Sequence, residues 1–188
     1  MTEERYTGTK FHTRFTRSEP PANTRAAELI PWCRRFAQLG LVGQAMGNLS
    51  LRSAHGLIIT PTGTDPLTIT PELLVEVMQV DIAKRELVAV GIREPSSESL
   101  LHAAIYAARP EINAIFHGHS GPLLAAADRL GIPVTAREQP YGTPALVAEV
   151  LAVARQCDFL VMRNHGFVAL GKSAAEAGRR VEEVLQQL

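Results

Sequence analysis

The sequence predicts an α/β domain in which helices cover both faces of one sheet. Three observations support this fold class. The chain has 188 residues, of which 46% are hydrophobic and 20% charged, a balance that suits a single core. Amphipathic segments of helical period alternate with short apolar or alternating segments typical of strands. The third observation is that no internal repeat or low-complexity tract divides the chain.

The first 22 residues are interpreted as a polar N-terminal arm that ends in Pro20 and Pro21. One interpretation of the basic residues in this arm is contact with a partner: Arg5, Lys10, Arg14 and Arg17. A solvated tail is favoured, because termini are usually loosely held. The globular domain is therefore expected to span residues 23–188.

Helix signals in the domain come mainly from caps, prolines and the 3.6-residue period. The predicted helices run from near Pro31 to near Gly40, from Ser96 or Ser97 to near Arg109, from near Pro122 to near Leu130, from Thr143 to near Gln156, and from Ser173 to the last residue. The predicted strands are Asn48–Arg52, Gly56–Thr60, Val75–Ile82, Ile112–His119, Asp158–Met162 and Phe167–Leu170.

Charge and composition narrow the class of protein. Lysine plus arginine equals aspartate plus glutamate, 19 each, so the broad basic field of a nucleic-acid or membrane-surface binder is missing. No apolar run reaches the roughly 18 residues of a membrane span, and the N-terminus lacks a signal-peptide core. Cys33 and Cys157 are expected to be reduced and buried. These observations predict a cytoplasmic protein.

His117 and His119 are the first candidates for chemistry. Residues two apart on a strand project from the same face, about 6–7 Å apart along the chain, which lets two imidazoles meet one ion. The alternative is a pair of polar residues on an exposed strand. His165 lies in a bend between two apolar strands, where a scaffold presents functional groups, although Asn164-His165-Gly166 also suits a simple turn.

The other histidines are weaker candidates. His12 and His55 are expected to be solvated, one in the arm and the other in a hairpin loop. His102 lies four residues after Glu98 on a helix, so it either orients that carboxylate or packs near the site through hydrogen bonds.

Glu98 stands at the start of its helix, where a carboxylate interacts favourably with the macrodipole, but it also suits a general acid or base beside a metal. Ser96 and Ser97 precede it, and a helix start with hydroxyls binds anions such as phosphate. Glycine-containing segments at 47–50 and 60–63 can supply further donors, or they are only turns.

Taken together and in this order, these segments resemble the class II aldolase/adducin family, which includes L-fuculose-phosphate aldolases and L-ribulose-5-phosphate 4-epimerases. The matching stretches run from about Ile30 to Leu188 and comprise Gly47–Ser50, Ile59–Gly63, Pro95–Glu98 with Leu101-His102, Arg109-Pro110 with Asn113-Ala114, His117–Ser120 and Arg163–Gly166.

The resemblance implies a three-layer α/β/α sandwich around a mixed, largely antiparallel sheet, assembled as a homo-oligomer with a cyclic tetramer favoured. It implies that His117, His119 and His165 hold Zn²⁺, with Mn²⁺ or Co²⁺ as alternatives, and that Glu98 is the catalytic carboxylate. It also implies a small, phosphorylated substrate, whose phosphate is bound by a set of polar residues: Asn48, Thr62, Gly63, Ser96 and Ser97.

The implied reaction is carbon–carbon cleavage of a sugar phosphate or related hydroxy-carbonyl compound through a zinc-stabilised enediolate, with Glu98 moving a proton. A dehydratase, epimerase or decarboxylase with the same metal centre is the alternative. A non-catalytic, adducin-like interaction domain is a third hypothesis, which the complete set of three histidines and Glu98 weakens.

Two features depart from the aldolase pattern. The link at residues 131–142 is short, and Tyr141, its only tyrosine, does not align with the proton-donor tyrosine of the aldolases. The chain also stops at the last matching helix, where the aldolases continue. The sequence therefore does not identify a proton donor.

Overall fold

The computed structural model describes residues 7–22 and 24–188. These residues form a single eight-stranded sheet with helices on either side. The strands are β1 His12–Arg17, β2 Asn48–Arg52, β3 Leu57–Ile59, β4 Val75–Asp81, β5 Glu86–Val90, β6 Ala114–Gly118, β7 Phe159–Met162 and β8 Gly166–Gly171. The helices are α1 Ile30–Gln38, α2 Ser99–Ala108, α3 Gly121–Ala126, α4 Pro144–Ala154 and α5 Ala174–Leu185, with short 3₁₀ helices at Thr24–Glu28 and Pro71–Leu73.

The strand order is β1-β5-β4-β3-β2-β6-β8-β7. β1 and β5 run parallel, and every other neighbouring pair in this sheet is antiparallel. The predicted mixed, largely antiparallel sheet is therefore confirmed. β6 lies between β2 and β8, which places His117 opposite Asn48 on one side and Val168 on the other.

Two separate apolar layers flank the sheet, as the predicted sandwich requires. On one face, α1, α3 and α5 pack Phe36, Leu123 and Val181 against the strands. On the other face, α2 and α4 contribute Ile105 and Val150. Alternate residues of the same strand enter opposite layers, as the two-residue period of a strand demands.

The helix caps explain where several helices begin. Thr143 accepts a hydrogen bond from the Leu146 N–H at the start of α4, and Ser173 accepts one from the Glu176 N–H at the start of α5. Glu176 in turn accepts from the Lys172 N–H at 2.9 Å, so the predicted capping box closes.

The N-terminal arm is the main error of the sequence prediction. Residues 12–17 are not a solvated tail: they form β1 and pair with β5, a strand that the prediction also missed. Phe11 and Phe15 pack against the α2/α4 layer. Phe11, Thr13 and Phe15 are partly buried while His12 and Arg14 are exposed, and this two-residue alternation is the signal that could have revealed the strand. The part of the predicted arm at residues 1–6 lies outside the described residues.

Both cysteines are free thiols. Cys33 is buried as expected, whereas Cys157 is only partly buried. In the described residues, we find no helix with both the length and the apolar character needed to cross a bilayer.

Candidate metal centre and active site

Three histidines, one in a strand and two just beyond strand ends, meet at one end of the sheet. His117 lies in β6, His119 follows directly after the end of that strand, and His165 lies in the turn between β7 and β8. The His119 N–H donates to the Leu41 carbonyl at 2.8 Å and the His165 N–H donates to the Met162 carbonyl at 3.0 Å. These backbone bonds fix the direction from which each imidazole approaches.

The three imidazoles form a compact group. Their ring centroids are 4.8 Å apart for His117 and His119, and 5.1 Å apart for each pair that includes His165. One nitrogen from each ring can be chosen so that all three lie within 4.8 Å of one another. The sequence prediction that these three side chains converge agrees with this geometry.

Glu98 lies against the same group. It is the N-cap residue of α2, but its side chain makes no capping hydrogen bond. Its carboxylate contacts two histidines instead: Oε2 is 2.9 Å from His117 Nε2, and Oε1 is 3.4 Å from His165 Nε2. Asn48 Nδ2 donates to Oε2 at 2.9 Å. The contact between Glu98 Oε1 and His165 is electrostatic, because Oε1 makes no hydrogen bond to any described residue. This orientation disfavours the interpretation of Glu98 as a helix-stabilising charge alone.

The electrostatics favour positive charge in the centre of the group. Burial opposes ionisation of Glu98, but the charges of His117 and His165 and the hydrogen bonds from His117 and Asn48 hold the pKa of its carboxyl well below the ordinary value. Burial also opposes protonation of His117, yet Glu98 raises the His117 pKa. Burial lowers the pKa of His119 to about 3, so that imidazole is neutral and able to bind a metal.

These donors fit a divalent metal. His117 Nδ1 lies 2.8 Å from the Phe167 carbonyl, which fixes the ring and leaves Nε2 toward His119 and Glu98. The Nε2 atoms of His117 and His119 are 3.1 Å apart. Two ligands of a tetrahedral zinc ion, each at about 2.0–2.1 Å, would stand roughly 3.3 Å apart, close to this separation.

A cavity of about 1050 Å³ opens beside the histidines. Four of the five residues predicted to bind phosphate line it: Asn48, Thr62, Ser96 and Ser97. The fifth, Gly63, is adjacent in sequence, and its N–H donates to the Gln44 carbonyl at 3.0 Å. The side-chain amide of Asn48, which was predicted to bind phosphate, donates its hydrogen bond to the Glu98 carboxylate.

A buried hydroxyl network lies behind Glu98. Ser50 Oγ is 2.7 Å from His102 Nδ1 and 2.9 Å from the Tyr106 hydroxyl. Burial lowers the His102 pKa to about 3, so this histidine is neutral. The His102 imidazole bonds to Ser50 and not to the Glu98 carboxylate, although the His102 backbone N–H donates to the Glu98 carbonyl at 3.1 Å. This supports its interpretation as a packed residue near the site. Sequence reasoning did not identify the contributions of Ser50 and Tyr106.

Glu138 is a cavity-lining carboxylate that sequence reasoning also missed. It lies in the short link at residues 131–142, and its Oε2 accepts a hydrogen bond from Asn164 Nδ2 at 2.7 Å. Tyr141 lines the cavity too, but its hydroxyl accepts from the Thr7 N–H at 2.8 Å and donates to the Gly8 carbonyl at 3.1 Å. The remaining histidines, His12 and His55, are exposed as expected.

This chain is similar to known proteins in sequence and in fold. The sequence profile described as the class II aldolase and adducin N-terminal domain matches residues 27–187. A methylthioribulose-1-phosphate dehydratase of Methylococcus capsulatus is 35% identical over 186 residues, covering 85% of this chain and 88% of the relative. A 5-methylthioribulose-1-phosphate/5-deoxyribulose-1-phosphate aldolase of Escherichia coli is 34% identical over 160 residues, covering 77% of this chain and 72% of the relative.

A solved L-fuculose 1-phosphate aldolase superposes with a TM-score of 0.74 at 26% identity, covering 89% of this chain and 84% of that structure. Its architecture agrees with the three-layer sandwich described above. On the profile match and on these relatives, the chain belongs to the class II aldolase and adducin family.

Proposed function

We propose that the protein is a metal-dependent lyase that cleaves a carbon–carbon bond in a small ketose phosphate. The observation that carries the proposal is the convergence of His117, His119 and His165 with the buried Glu98. Of these four residues, Glu98, His119 and His165 line one large cavity. A binding module has no need for an open metal site beside a carboxylate.

His117, His119 and His165 are proposed to hold the metal, with zinc favoured because three imidazoles leave a tetrahedral position for substrate. A bound divalent ion would act as a Lewis acid on the substrate oxygens. Glu98 is proposed to move the proton at the carbon beside the carbonyl. Its clamp between Asn48 and His117 holds the carboxylate in one orientation, which lowers the cost of reaching the transition state.

The cavity wall supports a substrate with one phosphorylated and one apolar end. The hydroxyls of Thr62, Ser96 and Ser97 are proposed to bind the phosphate, anchored away from the reacting bond. The wall also contains apolar side chains: Val42, Met46, Pro66, Ile69 and Leu124. A ketose 1-phosphate with a methyl or methylthio end suits a wall of this mixed character, as do the substrates in the names of the two relatives above.

Dehydration of the same class of substrate is the second candidate. The dehydratase relative aligns with 88% of its own length. In addition, Tyr141, the tyrosine that lines the cavity in the described part of the chain, has its hydroxyl engaged by Thr7 and Gly8. A carboxylate, Glu138, stands in the cavity instead.

A homotetramer is proposed for the assembly, since symmetric closed oligomers are common among soluble enzymes and the cavity is open in one chain. Apolar side chains near the cavity support a covering neighbour: Met46 is 41% exposed and Leu67 is 48% exposed. The cytoplasmic compartment stays a prediction.

Product analysis tests the proposal. Zinc-loaded protein is incubated separately with 5-methylthioribulose 1-phosphate and L-fuculose 1-phosphate, and products are identified by NMR. Release of dihydroxyacetone phosphate indicates the aldolase, and a diketone with loss of water indicates the dehydratase. If neither compound is turned over by protein that retains its metal, the proposed lyase activity is wrong.

A further inference from the structure

We propose that Ser50 is a positioning residue for the carboxylate of Glu98. Its buried hydroxyl ties strand β2 to helix α2, and the strand in turn holds the Asn48 side chain that donates to Glu98. Because Glu98 is the proposed proton-transfer group, this inference rests on the proposed function.

A ladder of polar side chains joins β2 to α2. It consists of six residues: Asn48, Ser50 and Arg52 from the strand, and Glu98, His102 and Tyr106 from the helix and its N-cap. The strand members are two residues apart, and the helix members are four residues apart. Two residues of a strand advance about 6–7 Å and four residues of an α-helix advance about 6 Å, so the two series stay in step.

The Ser50 hydroxyl is the central contact of this ladder. Its Oγ lies 2.7 Å from His102 Nδ1 and 2.9 Å from the Tyr106 hydroxyl, and all three residues are buried. His102 Nε2 bonds to no described residue, so the described side-chain bond from His102 to β2 is made by Nδ1. Sliding of β2 along α2 would leave these buried polar groups unpaired, which is costly.

The two ends of the ladder are fixed as well. At the end distant from the metal group, the Arg52 guanidinium lies 4.8 Å from the centre of the Tyr106 ring and donates to the Tyr106 carbonyl at 2.8 Å. At the other end, Asn48 Nδ2 donates to Glu98 Oε2 at 2.9 Å. Ser50 lies midway between Asn48 and Arg52, so a shift of the strand at Ser50 moves Asn48 relative to Glu98.

The neighbours of Ser50 in the sheet are apolar, which argues against a role in packing alone. Ile59 and Ile115 lie opposite Ser50 on the adjacent strands, and both belong to the α2/α4 layer. Replacement of a buried, bonded polar group and its partner by apolar groups of the same shape is close to neutral in stability. The hydroxyl supplies what apolar contacts do not, because a directional bond accepts only one register of strand against helix.

The test separates the bond to Ser50 from packing. Ser50→Ala removes the hydroxyl, and Tyr106→Phe removes one of its two partners while the ring stays. His102→Asn keeps a polar atom near the position of Nδ1, whereas His102→Gln moves it toward the position of Nε2, away from Ser50. Ile105→Val is the matched control, because Ile105 is buried in α2 beside Tyr106 and belongs to the apolar layer.

Zinc-loaded variants are assayed for kcat and KM with 5-methylthioribulose 1-phosphate and L-fuculose 1-phosphate, and bound zinc is measured. The side-chain amide of Asn48, assigned by its loss in Asn48→Asp, is followed by ¹⁵N NMR as a readout that does not need turnover. We expect Ser50→Ala and His102→Gln to lower kcat by about 10²-fold, the usual effect of a misplacement of about 1 Å, and to shift the Asn48 signal. KM and bound zinc should not change, since Ser50 and His102 touch neither the cavity nor the three metal-site histidines.

His102→Asn should retain kcat, Tyr106→Phe should lose less than Ser50→Ala, and Ile105→Val should melt at a lower temperature with kcat unchanged. An unchanged kcat in Ser50→Ala, or an equal loss in the two His102 variants, would overturn the inference. An equal loss in Ile105→Val would show a general sensitivity to packing and overturn it too. If Ser50→Ala does not fold, the two His102 variants decide the question. An unmodified protein without turnover overturns the proposed function; the Asn48 signal then tests the ladder, and an unshifted signal in His102→Gln refutes it.

Discussion

A single added methyl group at Gly166 is expected to disrupt the metal centre. Gly166 opens β8, next to His165, and its backbone lies outside the left-handed region, so alanine brings no backbone strain. A Cβ at this position would lie 2.5 Å from the Gly118 carbonyl oxygen, 2.8 Å from His117 Cε1 and 3.3 Å from His119 Cδ2. The effect of Gly166→Ala is therefore steric and is directed at two of the three imidazoles.

The magnitude follows from these contacts. The distance to His117 Cε1 is about 0.7 Å inside the ~3.5 Å at which two carbon atoms attract, and the fully buried ring has little room to yield. Overpacking of this kind costs about 1–3 kcal/mol in the free energy of unfolding. At roughly 2–4 °C per kcal/mol, the melting temperature of a domain of this size should fall by about 2–12 °C. Displaced ligands should lower zinc affinity by at least ~10–100-fold, the usual effect of disturbing the groups that orient metal ligands.

The assay is a zinc titration against a chromophoric chelator, with a thermal melt followed by far-UV circular dichroism. Gly121→Ala is the matched control: Gly121 lines the cavity and, like Gly166, has no positive φ. Apart from the adjoining residues and backbone of its own helix, its added Cβ would meet no atom of the described chain within 4 Å. A Gly166→Ala protein that binds zinc with the affinity of the unmodified protein and melts at the same temperature would refute the steric argument.

Three further predictions concern the same site and its assembly. Glu98→Gln should keep zinc, since three imidazoles remain, and should reduce turnover by about 10²–10⁴-fold; an unchanged rate would remove Glu98 from the mechanism. The double variant His117→Ala/His119→Ala should lose its zinc by elemental analysis, because one imidazole cannot hold the ion, and full occupancy would contradict the assignment of the ligands. Light scattering at micromolar concentration should give a tetramer, whereas Met46→Glu, at an exposed apolar position, should weaken it; a stable monomer of the unmodified chain would contradict the proposed assembly.

Local chemistry explains which elements could be predicted from the sequence. Caps such as Ser173 with Glu176, and Thr143 before Pro144, fix helix starts through bonds that span three residues, so they are readable without any tertiary knowledge. β1 was missed because its exposed residues are polar and basic, and because its pairing partner β5 lies about 70 residues away in the chain. Edge-strand pairing is a long-range event that local propensity does not encode.

The sequence by itself pointed to His117, His119 and His165 as candidates, because the two-residue spacing of the first pair and the turn at His165 are local features. Their assignment to one metal site was implied by the family resemblance. Only the tertiary structure decided where Glu98 and Glu138 lie relative to the three histidines. The Glu98 carboxylate contacts Asn48, from β2, and His117, from β6, which lie opposite each other once the β2–β6 pairing forms. Glu138 reaches the cavity because Asn164 and Arg163 bind a link that is about 25 residues distant in sequence. Contacts between segments this far apart depend on the register of the whole sheet, and no local pattern specifies that register.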